Sequence, residues 1–392
     1  MKYILTTIAL LLLMCGSAFG ATYYVNPDAA GAEDGTSHAD AWTTIAQVNA
    51  NAFSTSDDVY FFVGKTWTGE QLVVDWSGTS GDPVIIGAYD NDGNLTDEPT
   101  GTMPIIDGDG NTVPTQDGYT GLVHIEDQEY VEVRDLNIKD SGGIGVRVQS
   151  SPNVTVHDCE IHGSYRFGIS FLPSSGSQQG SDDGVVEYCE VYQNSYRAAV
   201  EVSGTDPPQI AVKRSDNFVI QYSTIRDGYF EGIDIDVGST NAIVKYNAIY
   251  GNPRLQVYIV SCTGAKVFGN LIYGTNTNAN SEDGRGQGVW MSHEAQWVNE
   301  MGSPLAMNAE VYNNLIANCL INVWFAGASD RQITGCKVYN NTLVEAYYEQ
   351  YYRDVTVQSG SGSGHEFKNN IIKSDNAADE ICHSYSGIVD MD

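Results

Sequence analysis

The chain has 392 residues, and its 50 acidic side chains outnumber 19 basic ones for a net charge of −31. A field of that sign excludes nucleic acid and anionic membrane surfaces as partners and suits solubility or the capture of cations. After the first 20 residues no apolar run is long enough to cross a bilayer, which excludes a spanning helix.

Residues 1–20 carry Lys2, an apolar run from Ile4 to Met14, and the small residues Ala18 and Gly20. This is the pattern of a signal peptide cleaved before Ala21, so the mature protein is expected to be secreted. Leu12-Leu13-Met14-Cys15 approaches a lipoprotein box, but Met14 is large for a position that wants a small residue. Residues 21–392 read as one domain, with 21–120 as an N-terminal cap and first irregular coils. Within it, Ala41, Ile45 and Val48 share one helical face, so a short amphipathic helix over 37–52 is expected to plug the open end. Asp90-x-Asp92-x-Asn94 and Asp107-x-Asp109-x-Asn111 start like calcium loops but lack the downstream bidentate Glu, and read as solvated turns.

From residue 121 to 373 a template repeats. Nine segments close on Ile138, Ile161, Val191, Ile225, Ile249, Ile272, Ile316, Leu343 and Ile372, with spacings from 23 to 44 residues. Five positions before each anchor stands another apolar residue, from Val133 through Phe367. A template whose gaps shrink to a floor and otherwise expand describes stacked coils with loops inserted at their corners. Alternating pairs such as Val146/Val148, Ile169/Phe171, Ile233/Ile235 and Val257/Ile259 make the coils strands rather than helices. Val200/Val202, Val289/Met291 and Val323/Phe325 extend the series at shifted spacing. Two positions before each anchor the column reads Leu136, Cys159, Cys189, Ser223, Asn247, Asn270, Asn314, Asn341, Asn370. Stacked asparagines there predict a ladder of side-chain amides, against independent turn residues as the plainer alternative. Cys159 and Cys189, in neighbouring coils, are close enough either for a disulfide or for packing as free thiols. The tail, 374–392, shows no template and reads as an irregular or truncated end.

The V-x-N-N-x-I segments around Asn314, Asn341 and Asn370 resemble those of right-handed parallel β-helix proteins of the pectate-lyase-like superfamily. The opening Tyr23-Tyr24-Val25-Asn26-Pro27, Asp34-Gly35-Thr36, Ala41-Trp42-Thr43-Thr44-Ile45 and Gly64-Lys65-Thr66-Trp67 is similar to the start of its secreted, polysaccharide-acting members. The resemblance implies an all-β right-handed parallel β-helix and action on a polysaccharide, with Arg or Lys as the base where the reaction is elimination. The paired Asp-Asp and Arg-x-Lys signatures of polygalacturonases are absent, as is the Asn…Glu-x-x-x-Lys-Ser arrangement of the chondroitinase-like branch.

The chemistry is expected on one outward column: Arg147, Ser170, Glu201, Asp234, Tyr258, Trp290, Trp324, with Asp236 on the same face. Arg166, Arg197 and Arg254 each stand four residues before a member of that column. Tyr258, Trp290 and Trp324 would offer rings to sugars, with Arg147 and His293 as further contacts; packing under inserted loops is the alternative for the aromatics, and an ordinary surface histidine for His293. Residues 172–184, 203–218 and 274–310 would wall the groove. Three neighbouring carboxylates need a counter-charge, so Glu201, Asp234 and Asp236 are expected to hold Ca2+. The reading is a monomeric, calcium-assisted lyase of an acidic glycan in which Arg254 or Arg197 is the base and Glu201 and Asp234 serve the reaction. A glycoside hydrolase using paired carboxylates, or a non-catalytic binding or adhesion solenoid, are the alternatives.

Overall fold

The computed structural model describes residues 20–93, 95, 102–115, 119–174, 177–195, 207–275, 286–346, 353–358, 360–373, 380–384 and 389–391. Its described strands stack into three long sheets of thirteen, eleven and eleven strands, paired in parallel with the next coil. Sheet 1 runs from Thr22–Val25 to Val389–Met391, sheet 2 from Thr66–Thr68 to Ile371–Lys373, and sheet 3 from Leu72–Val74 to Glu380–Ser384. One coil visits each in turn, as Val154–His157, Glu160–His162 and Ile169–Leu172 do. The chain is a parallel β-helix.

The two template columns are the core. Val133 through Val338 are at most 1% exposed, Phe367 is 7% exposed, and Ile138 through Leu343 are fully buried, with Ile372 packed at the edge. Three-residue strands such as Val185–Glu187 and Glu190–Tyr192 each bury only the middle side chain. A coil this thin has no core of its own, so the burial that holds it exists only between neighbours.

The corner between sheets 1 and 2 takes two residues. The first is left-handed in nearly every coil, with φ of 50–58° at Asp135, Asp158, Tyr188, Tyr222, Tyr246, Asn313, Asn340 and Asn369. Asn and Asp tolerate that region, whereas tyrosine is strained there. The three tyrosines stack in sequence, with ring centroids 5.1 and 5.5 Å apart.

The second corner residue is the ladder. Asn270 Oδ1 accepts the Asn247 backbone N–H at 2.9 Å, while Asn270 Nδ2 donates to Val244 O at 2.9 Å and to Asn314 Oδ1 at 3.0 Å. Asn314, Asn341 and Asn370 repeat the pattern, unbroken across the 44-residue spacing between Asn270 and Asn314. A second ladder, of hydroxyls, runs along the corner between sheets 3 and 1 through Ser151, Ser181, Ser215 and Ser239. Cys159 and Cys189 fill the earlier ladder positions as buried free thiols that point at the carbonyls of Val133 and Val156.

Three expectations change. The helix is Ile45–Asn49, not 37–52, and its start is set by a capping box between Thr44 and Gln47. The free edge of Thr22–Val25 is met instead by the strand-like passage through Gly35 and Trp42, whose carbonyls take the Tyr24 and Asn26 N–H groups. Residues 21–120 and the tail are not merely irregular, because their strands join the same three sheets in register. Asn270→Leu is expected to destabilise the fold by roughly 1–3 kcal/mol for a buried group left unpaired. An unchanged thermal melting midpoint would show that the ladder carries no stability.

Candidate active site

Sheet 3 presents one outward column along the solenoid. The paired register is His124, Arg147, Ser170, Ala211, Asp234, Tyr258, Trp290, Trp324, Thr356. Six of the seven predicted members are thus retained in their order. The place expected for Glu201 belongs to Ala211, because the fourth coil enters sheet 3 through Ile210–Lys213 rather than through Val200/Val202. Within the segment expected as wall, Ile210–Lys213 therefore build floor. Arg197 and Glu201 lie outside the described residues.

Two adjoining chambers open on this column. One, of about 630 Å³, is lined by Arg147, Arg166, Lys213, Asp234, Asp236 and Tyr119 among others. Its depth comes from the small Ser170 and Ala211, both buried in the floor. Three cations converge here on a protein of net charge −31. Arg166 lies 4.1 Å over the Tyr119 ring, and Arg147 donates to Gln149, which in turn donates to Glu126 at 2.6 Å. The second chamber, of about 560 Å³, is lined by Tyr258, Trp290, Trp324, Glu294, Arg331 and Gln358.

The acids are four rather than three. Asp234 Oδ1 is buried without a hydrogen-bond partner. Burial, followed by the nearby charges of Asp236, Glu231 and Glu294, pushes the Asp234 carboxyl well above the usual range, against the pull of Lys213. Glu231, three residues earlier on the same strand and only 4% exposed, is raised by burial and then by Glu294 and Asp236 to about 8. Asp236 has a different setting. Its Oδ2 meets Lys213 Nζ at 3.0 Å and its Oδ1 accepts the Val237 N–H at 2.6 Å, so both oxygens are held. Environment thus separates Asp234, buried and disposed to keep a proton, from Asp236, whose two oxygens are both engaged by hydrogen-bond donors.

These contacts also bear on the expected calcium. The counter-charge is an ammonium, Lys213, bound to Asp236. Among the described residues no group of three or more His, Cys, Asp or Glu is arranged to hold a metal ion. The Glu201, Asp234 and Asp236 set is not assembled within them.

Several side chains play parts other than those expected. Arg254 is exposed, and its Nε lies 3.9 Å from Glu231 Oε1, beyond hydrogen-bond range. Trp290 and Trp324 are stacked on each other, centroids 4.5 Å apart and planes 10° from parallel, so they form one double ring rather than two separate platforms. Tyr258 bonds Ser292 at 2.8 Å and Glu294 at 3.2 Å through its hydroxyl. His293 is 1% exposed: its Nε2 donates to Gly302 O at 2.9 Å, and its Nδ1 accepts from Ser261 Oγ at 2.9 Å. It is a neutral strut fixing the 294–302 loop, not a surface contact. Burial accordingly lowers its pKa. That loop is also tied to the floor strand, by Arg214 to Glu300 and by Lys213 Nζ 4.4 Å over the Trp297 ring.

Comparison with known proteins agrees with this architecture. The model for a right-handed β-helix region matches residues 116–300. Pectate lyase PEL9 of Emericella nidulans is 25% identical over 180 residues, which span 45% of this chain and 40% of that protein. Among solved structures, a rhamnogalacturonan lyase superposes with a TM-score of 0.57 at 13% identity, over 93% of this chain and 84% of its own. The endo-xylogalacturonan hydrolase of Aspergillus tubingensis gives 0.53 at 10% identity, over 95% of each chain.

An acid whose folded pKa lies above its unfolded one loses stability as pH rises from the unfolded value to the folded value. For Glu231 that window runs from its ordinary 4.5 to about 8. Glu231→Gln removes the titration, so its melting temperature should rise relative to the parent by more at pH 8 than at pH 5. An equal difference at both pH values would contradict the burial of an ionisable Glu231.

Proposed function

Starting from a right-handed parallel β-helix of the pectate-lyase-like kind, we propose that this protein is an exported enzyme cleaving an acidic polysaccharide in the groove of sheet 3. The observation that carries the reading is the pair Asp234 and Asp236: two carboxyls on one strand face, one driven toward the protonated form and one held by Lys213. Every cleavage of a glycosidic bond needs a proton for the departing oxygen, and a carboxyl whose burial favours its protonated form is suited to supply it. Arg147, Arg166 and Lys213 would hold the anionic groups of the substrate, which a chain of this net charge otherwise repels.

The unlike settings of the two carboxyls support hydrolysis as the first reading. Asp234 and Asp236 are two apart on one strand and so share a face; inversion would require their carboxyls to stand about 6.5–9.5 Å apart, leaving room for a water between acid and base. Asp236 would take the proton of that water as it attacks the anomeric carbon, while Asp234 protonates the leaving oxygen. Elimination is the second reading, favoured by the similarity to pectate lyase PEL9 and by a lysine in the same chamber. In that reading Lys213 would leave its 3.0 Å contact with Asp236 to reach the proton to be removed.

Incubation with uronate-containing glycans should yield reducing ends without unsaturated products, and the new anomeric centre should be inverted when followed by NMR. Unsaturated ends would establish elimination instead. Asp234→Asn should lower kcat by at least about 100-fold, the scale of general-acid catalysis, with the melting curve nearly unchanged. The alkaline limb of the parent's kcat/KM profile should lie well above the range of an exposed aspartate and disappear in that variant. Full activity of Asp234→Asn would move the chemistry away from this column.

A further inference from the structure

Seven large apolar side chains are exposed among the described residues, and six of them lie on one edge of the solenoid. Tyr188, Tyr222 and Tyr246 take the first place of the corner between sheets 1 and 2 in three successive coils, and Leu271, Leu315 and Ile371 come directly after its second place in later ones. The line covers seven coils, interrupted at Thr342, and runs about 29 Å at about 4.8 Å per coil. From Tyr222-Ser223-Thr224 to Asn369-Asn370-Ile371 no corner triplet contains a charged residue, although the chain carries a net charge of −31. Beside the tyrosines on sheet 1 stand Glu187, Gln221 and Lys245, whose charges cancel. The edge joins sheets 1 and 2, so it lies away from the groove of sheet 3.

Packing alone does not explain the tyrosines. Asp135, Asp158, Asn313, Asn340 and Asn369 fill the same corner place with residue types that tolerate a left-handed backbone, whereas the three tyrosines hold φ of 52, 52 and 58° at a conformational cost. They remain 45–54% exposed, so burial offsets little of that cost. Stacking at 5.1 and 5.5 Å offsets part of it and lines the rings up along the solenoid. Gly269 leaves the next corner place open: a Cβ there would stand 2.6 Å from the Tyr246 ring, which lies across that coil. Strained residues kept at an exposed position point to function.

We propose that this edge is a second binding site, for an uncharged polysaccharide chain lying along the solenoid. The site is independent of the groove and of the reaction proposed there. Tyrosine offers an apolar ring with a hydroxyl tip, which suits a ligand that alternates C–H faces with hydroxyls. An extended glycan repeats its sugars at a distance comparable to the 5.1 and 5.5 Å steps between rings, so successive coils can meet it in the same way. A uronate chain would find no charge at the corner to pair with, and the field of the whole chain repels it. A globular partner needs more surface. At about 150–250 Å² for a whole aromatic ring, the half-exposed edge offers roughly 500 Å² of apolar area, against about 800 Å² from each partner in a stable protein interface.

Co-sedimentation of the full chain with microcrystalline cellulose, linear insoluble xylan and a cross-linked polyuronate gel tests the site, with soluble uronate oligosaccharide present throughout to occupy the groove. The comparison protein carries Tyr188→Asn, Tyr222→Asn and Tyr246→Asn together, the residue type that other coils use at this corner, and its melting curve checks that it is folded. The parent should be retained on at least one of the two neutral glycans, and the triple variant at least about tenfold more weakly, about 1.4 kcal/mol. Action on soluble glycans should be the same in both proteins, so failure of the enzymatic reading leaves this result standing. Equal retention of the two proteins, or no retention of the parent on either neutral glycan, overturns the proposal. So does retention on the polyuronate gel that is at least as strong and equally dependent on the tyrosines. Sedimentation velocity adds the last outcome: a parent dimer that the triple variant loses would make the edge a contact between copies and overturn the glycan site.

Discussion

Backbone pairing between successive coils, at one strand spacing of about 4.8 Å, is the constraint on which everything else in this molecule depends. Each coil offers the next a row of unpaired N–H and C=O groups and half of a core. What prevents slippage is the corner. A left-handed residue turns the chain, and the amide or hydroxyl that follows pairs with the coils on either side. Slipping by one residue would place the inward valines and isoleucines outside and leave buried amides without partners, so register is specified twice. Insertions are tolerated because they leave at other corners. Asn270 and Asn314 remain paired although their coil spans 44 positions against 23 for the coil before it.

The groove follows from the same regularity. A parallel ladder places equivalent outward residues one above another, so a change at one position per coil composes a surface without disturbing the core. Ser170 and Ala211 lower the floor, Asp234 and Asp236 stand beside the depression, and aromatics continue the column. The acids acquire their properties from position. Asp234 lies among Asp236, Glu231 and Glu294, with a single ammonium against them. The result is a carboxyl that holds its proton where an exposed aspartate would not.

Most of the frame was legible because apolar side chains must recur at the coil spacing. The columns ending at Phe367 and Ile372, the asparagine ladder and six of the seven outward positions follow from that recurrence alone. The fourth coil did not follow, since counting forward from Val191 reaches Val200 and Val202. Counting back eight residues from the next sheet 1 anchor is the better rule. It links Ile125 to Val133, Val148 to Val156 and Ile259 to Val267, and from Ile220 it reaches Val212. That count would have exposed Ala211 and Lys213. Glu231 stayed hidden for another reason: its burial depends on how the strand start packs, which no periodicity encodes. His293 misled because solitary histidines usually lie at surfaces, whereas here two loop atoms, Ser261 Oγ and Gly302 O, consume both nitrogens.

The clamp between the floor strand and the 294–302 loop has a thermodynamic consequence. Lys213 under Trp297, Arg214 on Glu300 and His293 on Gly302 hold that wall in place with no ligand needed to draw it in. A loop that closes on its ligand spends part of the binding free energy on freezing rotamers, about 0.5–1.5 kcal/mol for each long side chain immobilised. Here that loss of freedom was incurred when the chain folded. Affinity for a glycan can therefore track the contacts themselves, and recognition by this wall should resemble a lock already cut rather than a hand that closes.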